Sequence, residues 1–360
     1  MTTFIPGPRG QGAEQPGDPQ DSIETRDIAG LSQGQIVLRR FLRHKGALVG
    51  LITIACIALF CYSAVGVGPI PGWWQYNHYS SNPVLNPQGA PTMSLPAWLG
   101  GDGFAIGQHP FGQDDIGRDN FARVMKGTQI SLMVMVVIGV VGLVIGSVVG
   151  ALAGFYRGWL DNVLMRITDG FIILPTLVVG AILGKMVGGA SAIALALALG
   201  LILWPTLARL VRGEFLGLRE REFVDAARVT GASDLRIMLK HMFPNSMGVI
   251  IVNTSLLMAQ AIVLETALSF LGFGIASPDV SLGQLINEYQ SSFATRPWLF
   301  WWPGLFIIVI ALCINFVGDG LRDAFDPRQK RIPSKRVMDR AVRRNAKAAG
   351  NGATGKGAAS

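Results

Sequence analysis

The sequence predicts an all-α membrane protein with six transmembrane helices and both termini in the cytoplasm. Three observations predict it. Half of the 360 residues are hydrophobic and only 15% are charged, where a soluble domain carries about a quarter. Mean hydropathy is positive, at +0.41. The apolar residues also come in long uncharged blocks rather than short periodic stripes, and about 20 such residues cross a bilayer.

A formal net charge of +8 could suggest nucleic acid, but the placing of the cations excludes it. In the six-span topology every Lys and Arg except Arg118, Arg123, Lys126, Lys185 and Arg296 falls on one side. That asymmetry is the positive-inside pattern of a membrane protein. The three cysteines, Cys56, Cys61 and Cys313, all sit in apolar blocks. They form no disulfide framework or metal set and read as small buried hydrophobes.

Residues 1–33 are rich in Pro, Gly, Gln, Asp and Glu and read as a disordered cytoplasmic tail. Residues 34–46 mix Ile36, Val37, Leu38, Phe41 and Leu42 with Arg39, Arg40, Arg43 and Lys45. This is the pattern of an interfacial amphipathic helix on the inner membrane surface. The first span covers 47–67. Residues 68–129 form a long extracytoplasmic loop with Trp73, Trp74, Tyr76, Tyr79 and Trp98, a length that is either functional or partly folded.

The core, 130–327, holds spans two to six. The second lies within 130–155, where Gly139, Gly142, Gly146, Gly150 and Gly154 permit close helix contacts. The third runs over 163–183 and bends at Pro175, and the fourth covers 189–208. A polar stretch, 213–247, connects to the fifth at 248–268. A short outer helix or re-entrant turn follows at 281–290, then Trp298, Trp301 and Trp302 as an interfacial belt. The sixth covers 303–315 and extends to Gly320. Residues 328–360 read as a basic disordered tail.

The stretch 213–247 carries the functional signal. Phe223, Ala226 and Ala227 share one face of a predicted helix and Arg221, Asp225 and Arg228 the other, by three- and four-residue spacing. Gly231 ends that helix, Ser233 can cap a second, and Pro244 interrupts the second just before the fifth span. Two readings stand at this point, an ordinary surface hairpin and a docking element for a partner.

Asp225-Ala226-Ala227, three residues, Gly231, nine residues, then His241-Met242-Phe243-Pro244 resembles the EAA loop of bacterial ABC importer permeases. The family pattern there is Glu-Ala-Ala, three residues, Gly, nine residues and Ile-x-Leu-Pro. Asp225 stands for Glu, His241 for Ile and Phe243 for Leu. His241 reads as an interfacial polar contact, with a pH-responsive group as the alternative. The resemblance spans 34–328 and is to the C-type subunit of dipeptide and oligopeptide permeases. His109-Pro110-Phe111-Gly112-Gln113-Asp114-Asp115-Ile116-Gly117-Arg118-Asp119, Gly127, Ser131-Leu132, Leu268-Ser269-Phe270-Leu271-Gly272, Gly318-Asp319-Gly320-Leu321-Arg322-Asp323 and Asp326-Pro327 carry it, in order.

The resemblance implies a type I ABC importer permease fold in the bacterial cytoplasmic membrane. It implies that Glu222, Phe223, Asp225, Ala226, Ala227, Gly231, His241 and Pro244 form a coupling loop docked on an ATPase. It implies a B-type permease partner, two ATPase subunits or one fused ATPase, an extracytoplasmic substrate-binding protein and a peptide cargo. Nickel permeases belong to the same subfamily, so nickel, haem or another small solute is the alternative cargo.

No phosphate-cradling loop is legible. The nearest candidate, Gly184-Lys185, has Val179 where the first Gly belongs and Met186 where Ser or Thr belongs. The chain is therefore expected to have no catalytic, metal or cofactor site, with ATP and Mg bound by the partner ATPases. Intramembrane polar residues are costly and mark paths or interhelical bonds. Glu265 is open between a translocation path and a helix–helix hydrogen bond, with an outer gate or a contact to the binding protein as further readings. Asn253 and Asn315 read first as helix–helix hydrogen bonds. A secondary transporter driven by an ion gradient is the rival from another class, but no internal repeat is evident. A membrane-embedded enzyme would need a catalytic constellation, and only scattered single groups are present.

Overall fold

The computed structural model describes residues 33–94, 103, 105–187 and 191–325. The expected tails lie outside the described residues, apart from Gln33, and so does Trp98. α1 (Gln33–Arg43) and α2 (Lys45–Val65) are separated by His44 alone. His44 Nδ1 accepts the Ala47 N–H at 3.0 Å, and Nε2 lies 3.4 Å from Asp323. α1 buries Phe41 and packs Val37 against Val317, Leu321 and Ala324 in the last of the described helices. A two-residue ribbon, β1 (Gly66–Val67) with β2 (Ile70–Pro71), turns the chain out of α2.

α3 (Asn120–Tyr156) has 37 residues, or about 55 Å of helix, well beyond the ~30 Å hydrocarbon core. It starts ahead of the apolar run at Ile130, inside the segment 68–129 expected as loop. Asp119 explains the start. Its Oδ2 accepts the Ala122 N–H at 2.8 Å, satisfying one of the helix's free donors.

α4 (Gly158–Ile173) and α5 (Thr176–Val187) meet at an 84° bend. Pro175 forces the residue before it out of helical geometry, and Leu174 is extended, with φ −69° and ψ 129°. α6 (Ala192–Leu203) and α7 (Pro205–Arg219) meet at 44°, with Pro205 at the start of α7, where its missing N–H costs nothing. α8 (Glu222–Val229) and α9 (Asp234–Phe270) follow, then α10 (Leu282–Tyr289) and α11 (Pro297–Phe325). The polar stretch 213–247 is thus mostly helix, because α7 runs on through it to Arg219.

Pro244 does not interrupt α9. Proline cannot donate to the carbonyl one turn back, so the chain widens into a π segment over Ile237–Met242, and the Phe243 N–H bonds Met238 O. The helix continues through Pro244 without a break.

α2, α3, α9 and α11 are each long and apolar enough to cross a membrane, and up to six spans result if each bent pair counts as one. Only 17% to 44% of their most apolar windows is buried within the chain. Val136, Val140, Val144 and Val148 form an exposed stripe along α3. Such faces require lipid or a partner chain. Cys61 and Cys313 are buried, but Cys56 is exposed on α2 and departs from the expected buried hydrophobe.

Helix contacts are close where glycine allows it. Gly146, Gly150 and Gly154 face α7, and a Cβ at Gly154 would lie 2.7 Å from Phe215 Cβ. Gly139 and Gly142 face Met258 and Leu257 of α9. Small residues let helix backbones approach in lipid, where apolar burial drives association weakly.

Candidate functional site

α8 and the first turns of α9 form a hairpin beyond the apolar part of the bundle. Glu222 and Asp225 lie in the first turn of α8 and Arg228 in its last, each favourable to the helix dipole. Asp225 pairs with Arg228 at 3.2 Å on the surface. Gly231, at φ +79°, closes α8. The Ala232 N–H bonds Ala227 O at 3.0 Å and the Gly231 N–H bonds Arg228 O at 2.9 Å. This is the paired closure that a left-handed residue after a helix makes possible. Ser233 occupies the position before α9, but its hydroxyl makes no capping bond there.

The hairpin is seated on its own apolar core. Val224 and Ala227 of α8 are buried with Ile237, Met238 and Met242 of α9, Leu207, Val211 and Phe215 of α7, and Phe155 of α3. Ala227 therefore faces inward, whereas Phe223 and Ala226 face out. The expected grouping of Phe223, Ala226 and Ala227 on one face is corrected. Val224, absent from the predicted site, is the residue that pairs with Ala227 at three-residue spacing.

The outer surface of the hairpin carries Phe223, Val229, Leu235 and Leu239, and Val229 is 89% exposed. His241 is half-buried and Pro244 exposed. These four side chains form an exposed apolar patch on a short polar hairpin.

A second cluster lies at the far end of α3. Asp119 accepts from Trp74 Nε1 at 2.8 Å and sits 2.8 Å from His109 Nδ1. Burial pushes its carboxyl above the ordinary range, although the His109, Ala122 and Trp74 hydrogen bonds pull the other way. Arg123, buried, reaches Asp114 at 3.3 Å, Glu288 of α10 at 2.6 Å, and the Tyr289 hydroxyl. Arg118 bonds Asp114 at 2.5 Å and also pairs with Glu288. Burial opposes the Glu288 charge, but Arg123 and Arg118 outweigh it and hold the carboxyl below its usual range. The segment 105–119 is thereby strapped onto α3 and α10. Sequence reasoning missed this network. Asp119 followed by a helix-forming run was the available signal.

Glu265 of α9 is fully buried. It accepts from Ser131 Oγ at 3.2 Å and Ser269 Oγ at 2.8 Å. Those hydroxyls in turn accept the backbone N–H groups of Leu282 at 3.4 Å and Ile275 at 3.2 Å. Glu265 thus knots α3, α9 and the start of α10 together inside this chain. Asn253 and Asn315 do not bond across helices as expected. Each donates within its own helix, to Val249 O at 2.7 Å and Ala311 O at 2.9 Å. Asn315 is exposed. The site residues thus divide between the hairpin, which gathers Glu222 through Pro244, and three separate positions in the bundle.

These features define a polytopic helical membrane protein with an exposed apolar hairpin between two of its long helices. The chain belongs to the family of binding-protein-dependent transport system inner membrane components, which matches residues 146–331. Residues 32–89 also match the N-terminal transmembrane domain of oligopeptide transport permease C. The chain is 36% identical to an oligopeptide transport system permease protein OppC of Mycobacterium bovis, over 84% of this chain and 97% of that one. It is 38% identical to the Escherichia coli K12 protein of the same description, over 85% and 95%. A putative peptide permease of Brucella ovis is 36% identical over 80% and 89%. Among solved structures, inward-facing MetNI methionine ABC transporter has a chain similar at 20% identity and a TM-score of 0.46, covering 56% of this chain and 94% of that one.

The protein is thus a multi-pass inner-membrane permease subunit of an ABC importer, a family whose members are not themselves the ATPase. Membership implies a further permease, ATPases and a binding protein as partners.

Proposed function

We propose that this chain is one half of the transmembrane pathway of a peptide importer, driven by ATPases that grip the α8–α9 hairpin. The relatives named for oligopeptide transport support the cargo. The observation that carries the docking role is the exposed quartet of Phe223, Val229, Leu235 and Leu239 on a hairpin continuous with α9. In this reading six spans leave both termini and this hairpin on the cytoplasmic side, which the cation asymmetry supports. The other half is a B-type permease, and an extracytoplasmic binding protein delivers cargo to the strapped outer segment. ATP and Mg bind the partner ATPases, as two subunits or one fused chain.

The unbroken run of α9 from the hairpin into the bundle supports the following mechanism. ATP binding closes the ATPases, the hairpin moves with them, and α9 carries the motion into the membrane because no break separates the two. A ligand on another chain thus biases a two-state element in this one. Glu222, Asp225 and Ala226 face the ATPase, Gly231 sets the turn, and His241 and Pro244 mark the passage into the span. Glu265 stabilises the outer gate rather than lining the path.

Uptake of a fluorescent tripeptide into proteoliposomes tests this reading. The complete assembly with ATP is expected to accumulate the peptide, and omission of the ATPases to abolish accumulation. Accumulation driven by an ion gradient without ATPases would refute it.

A further inference from the structure

α4 has a seat unlike those of the other helices. An apolar helix ordinarily buries apolar side chains against its neighbour. Along α4 the buried side chains are Asp161 and Thr168. Thr168 spends its hydroxyl inside its own helix, on Leu164 O at 2.8 Å. Phe171 meets Trp204 just before α7, with ring centroids 5.5 Å apart, and along the rest of the two helices charged pairs cross. Arg212 forks Asp161, Nε to Oδ1 at 2.5 Å and Nη2 to Oδ2 at 2.7 Å. Arg209 pairs with Asp169. At the α3–α4 junction, Arg157 pairs with Glu220 at 2.6 Å. The order 157, 161, 169 against 220, 212, 209 makes an antiparallel ladder along the two helices.

Partly exposed ion pairs add little stability, so the ladder is poorly suited to gluing α4 in place. A bidentate guanidinium–carboxylate fork does fix orientation and register, which apolar contact does not. Its location matters. Only residues 220 and 221 separate α7 from the hairpin helix α8, and α4 leads through the 84° bend into α5. The ladder therefore links the hairpin's own root directly to the broken span.

We propose that this ion ladder is the joint through which the hairpin positions α4 and α5 during transport. The proposal rests on the importer reading for what drives the hairpin. Asp161, Asp169, Arg209 and Arg212 are positioning residues that act through helix register and do not touch cargo.

Two measurements on the full chain test it. The first needs neither cargo nor ATPase. Nitroxides at Ile173→Cys and Val229→Cys, both exposed, in a background with the three native cysteines replaced, report the distance from α4 to the hairpin. The parent is expected to give one narrow distribution, Asp169→Asn a broadened one, and the reciprocal exchange Asp169→Arg with Arg209→Asp a narrow one again. The second uses the assembled importer and counts ATP hydrolysed per fluorescent tripeptide imported. Asp169→Asn and Arg209→Gln are expected to keep hydrolysis but lower import per ATP about 2- to 30-fold, the range that residues along a coupling route produce. The reciprocal exchange is expected to restore it. An unbroadened distribution in Asp169→Asn, or a defect that the exchange fails to repair, overturns the proposal. A parent that imports no tripeptide counts against the importer reading alone, since the nitroxide measurement still decides the joint.

Discussion

The backbone N–H of Ala232 reaches back over Gly231 to the carbonyl of Ala227 at 3.0 Å. That bond is one of the pair that closes α8 ahead of α9, and it exists because Gly231 sits at φ +79°. A Cβ there meets nothing within 4 Å, so any substitution penalty comes from the backbone rather than from packing. Gly231→Ala is expected to cost roughly 1 kcal/mol, the price of a left-handed Cβ-bearing residue. Gly231→Asn is expected to cost less, because Asn tolerates this region. Thermal melts of the purified permease rank the two. Equal melts for parent and Gly231→Ala contradict the assignment.

The inward Ala227 and the outward Ala226 separate folding from docking. Ala227→Arg places a cation among Val224, Ile237 and Met242 and is expected to destabilise by on the order of 4 kcal/mol. The variant should be recovered poorly from membranes. Ala226→Arg is expected to change stability by no more than about 0.5 kcal/mol, while lowering copurification with the ATPases. Detergent-extracted yield and the permease-to-ATPase ratio on an affinity column distinguish the two effects. A folded Ala227→Arg with normal yield contradicts the burial argument.

The strap of 105–119 onto α3 and α10 carries a pH signature. The Glu288 carboxyl is held below its ordinary value of 4.5 by Arg123 and Arg118. Its contribution is fully present above pH 4.5 and falls away as pH drops below it, since the unfolded chain then takes up the proton first. Asp119 acts in the opposite sense, because burial raises its carboxyl and acid relieves that cost. Glu288→Gln isolates the first effect. It is expected to lower the melting temperature at pH 7 and to narrow its gap from the parent as pH falls below about 4.5. A gap that is constant with pH contradicts the ion-pair account.

The bundle was legible in the sequence because long apolar blocks can be read without knowing what they touch. Pro175 was legible for a similar reason, since the constraint on Leu174 is local. Pro244 misled, because the same local rule has two solutions. A helix can stop before proline or widen by one residue, and the packing of Met238 and Met242 chooses the second. The facing of Ala227 was misread because several apolar residues in α8 left the inward side undetermined until α7 supplied Val211 and Phe215. The start of α3 was hidden because Arg123 reads as solvent-facing. Its partners, Asp114 and Glu288, are separated in sequence and meet only in the folded chain. The α4–α7 ladder was invisible for the same reason.

The central claim is that the exposed face of the α8–α9 hairpin is where the ATPase grips this permease. A photo-crosslinking amino acid in place of Val229, which is 89% exposed, reads that contact directly in the assembled importer. Illumination is expected to join this chain to an ATPase subunit, with a yield that changes when ATP binds. An assembly that copurifies intact and imports normally, yet yields no ATPase adduct from position 229 or from a matching probe at Leu235, would contradict the account.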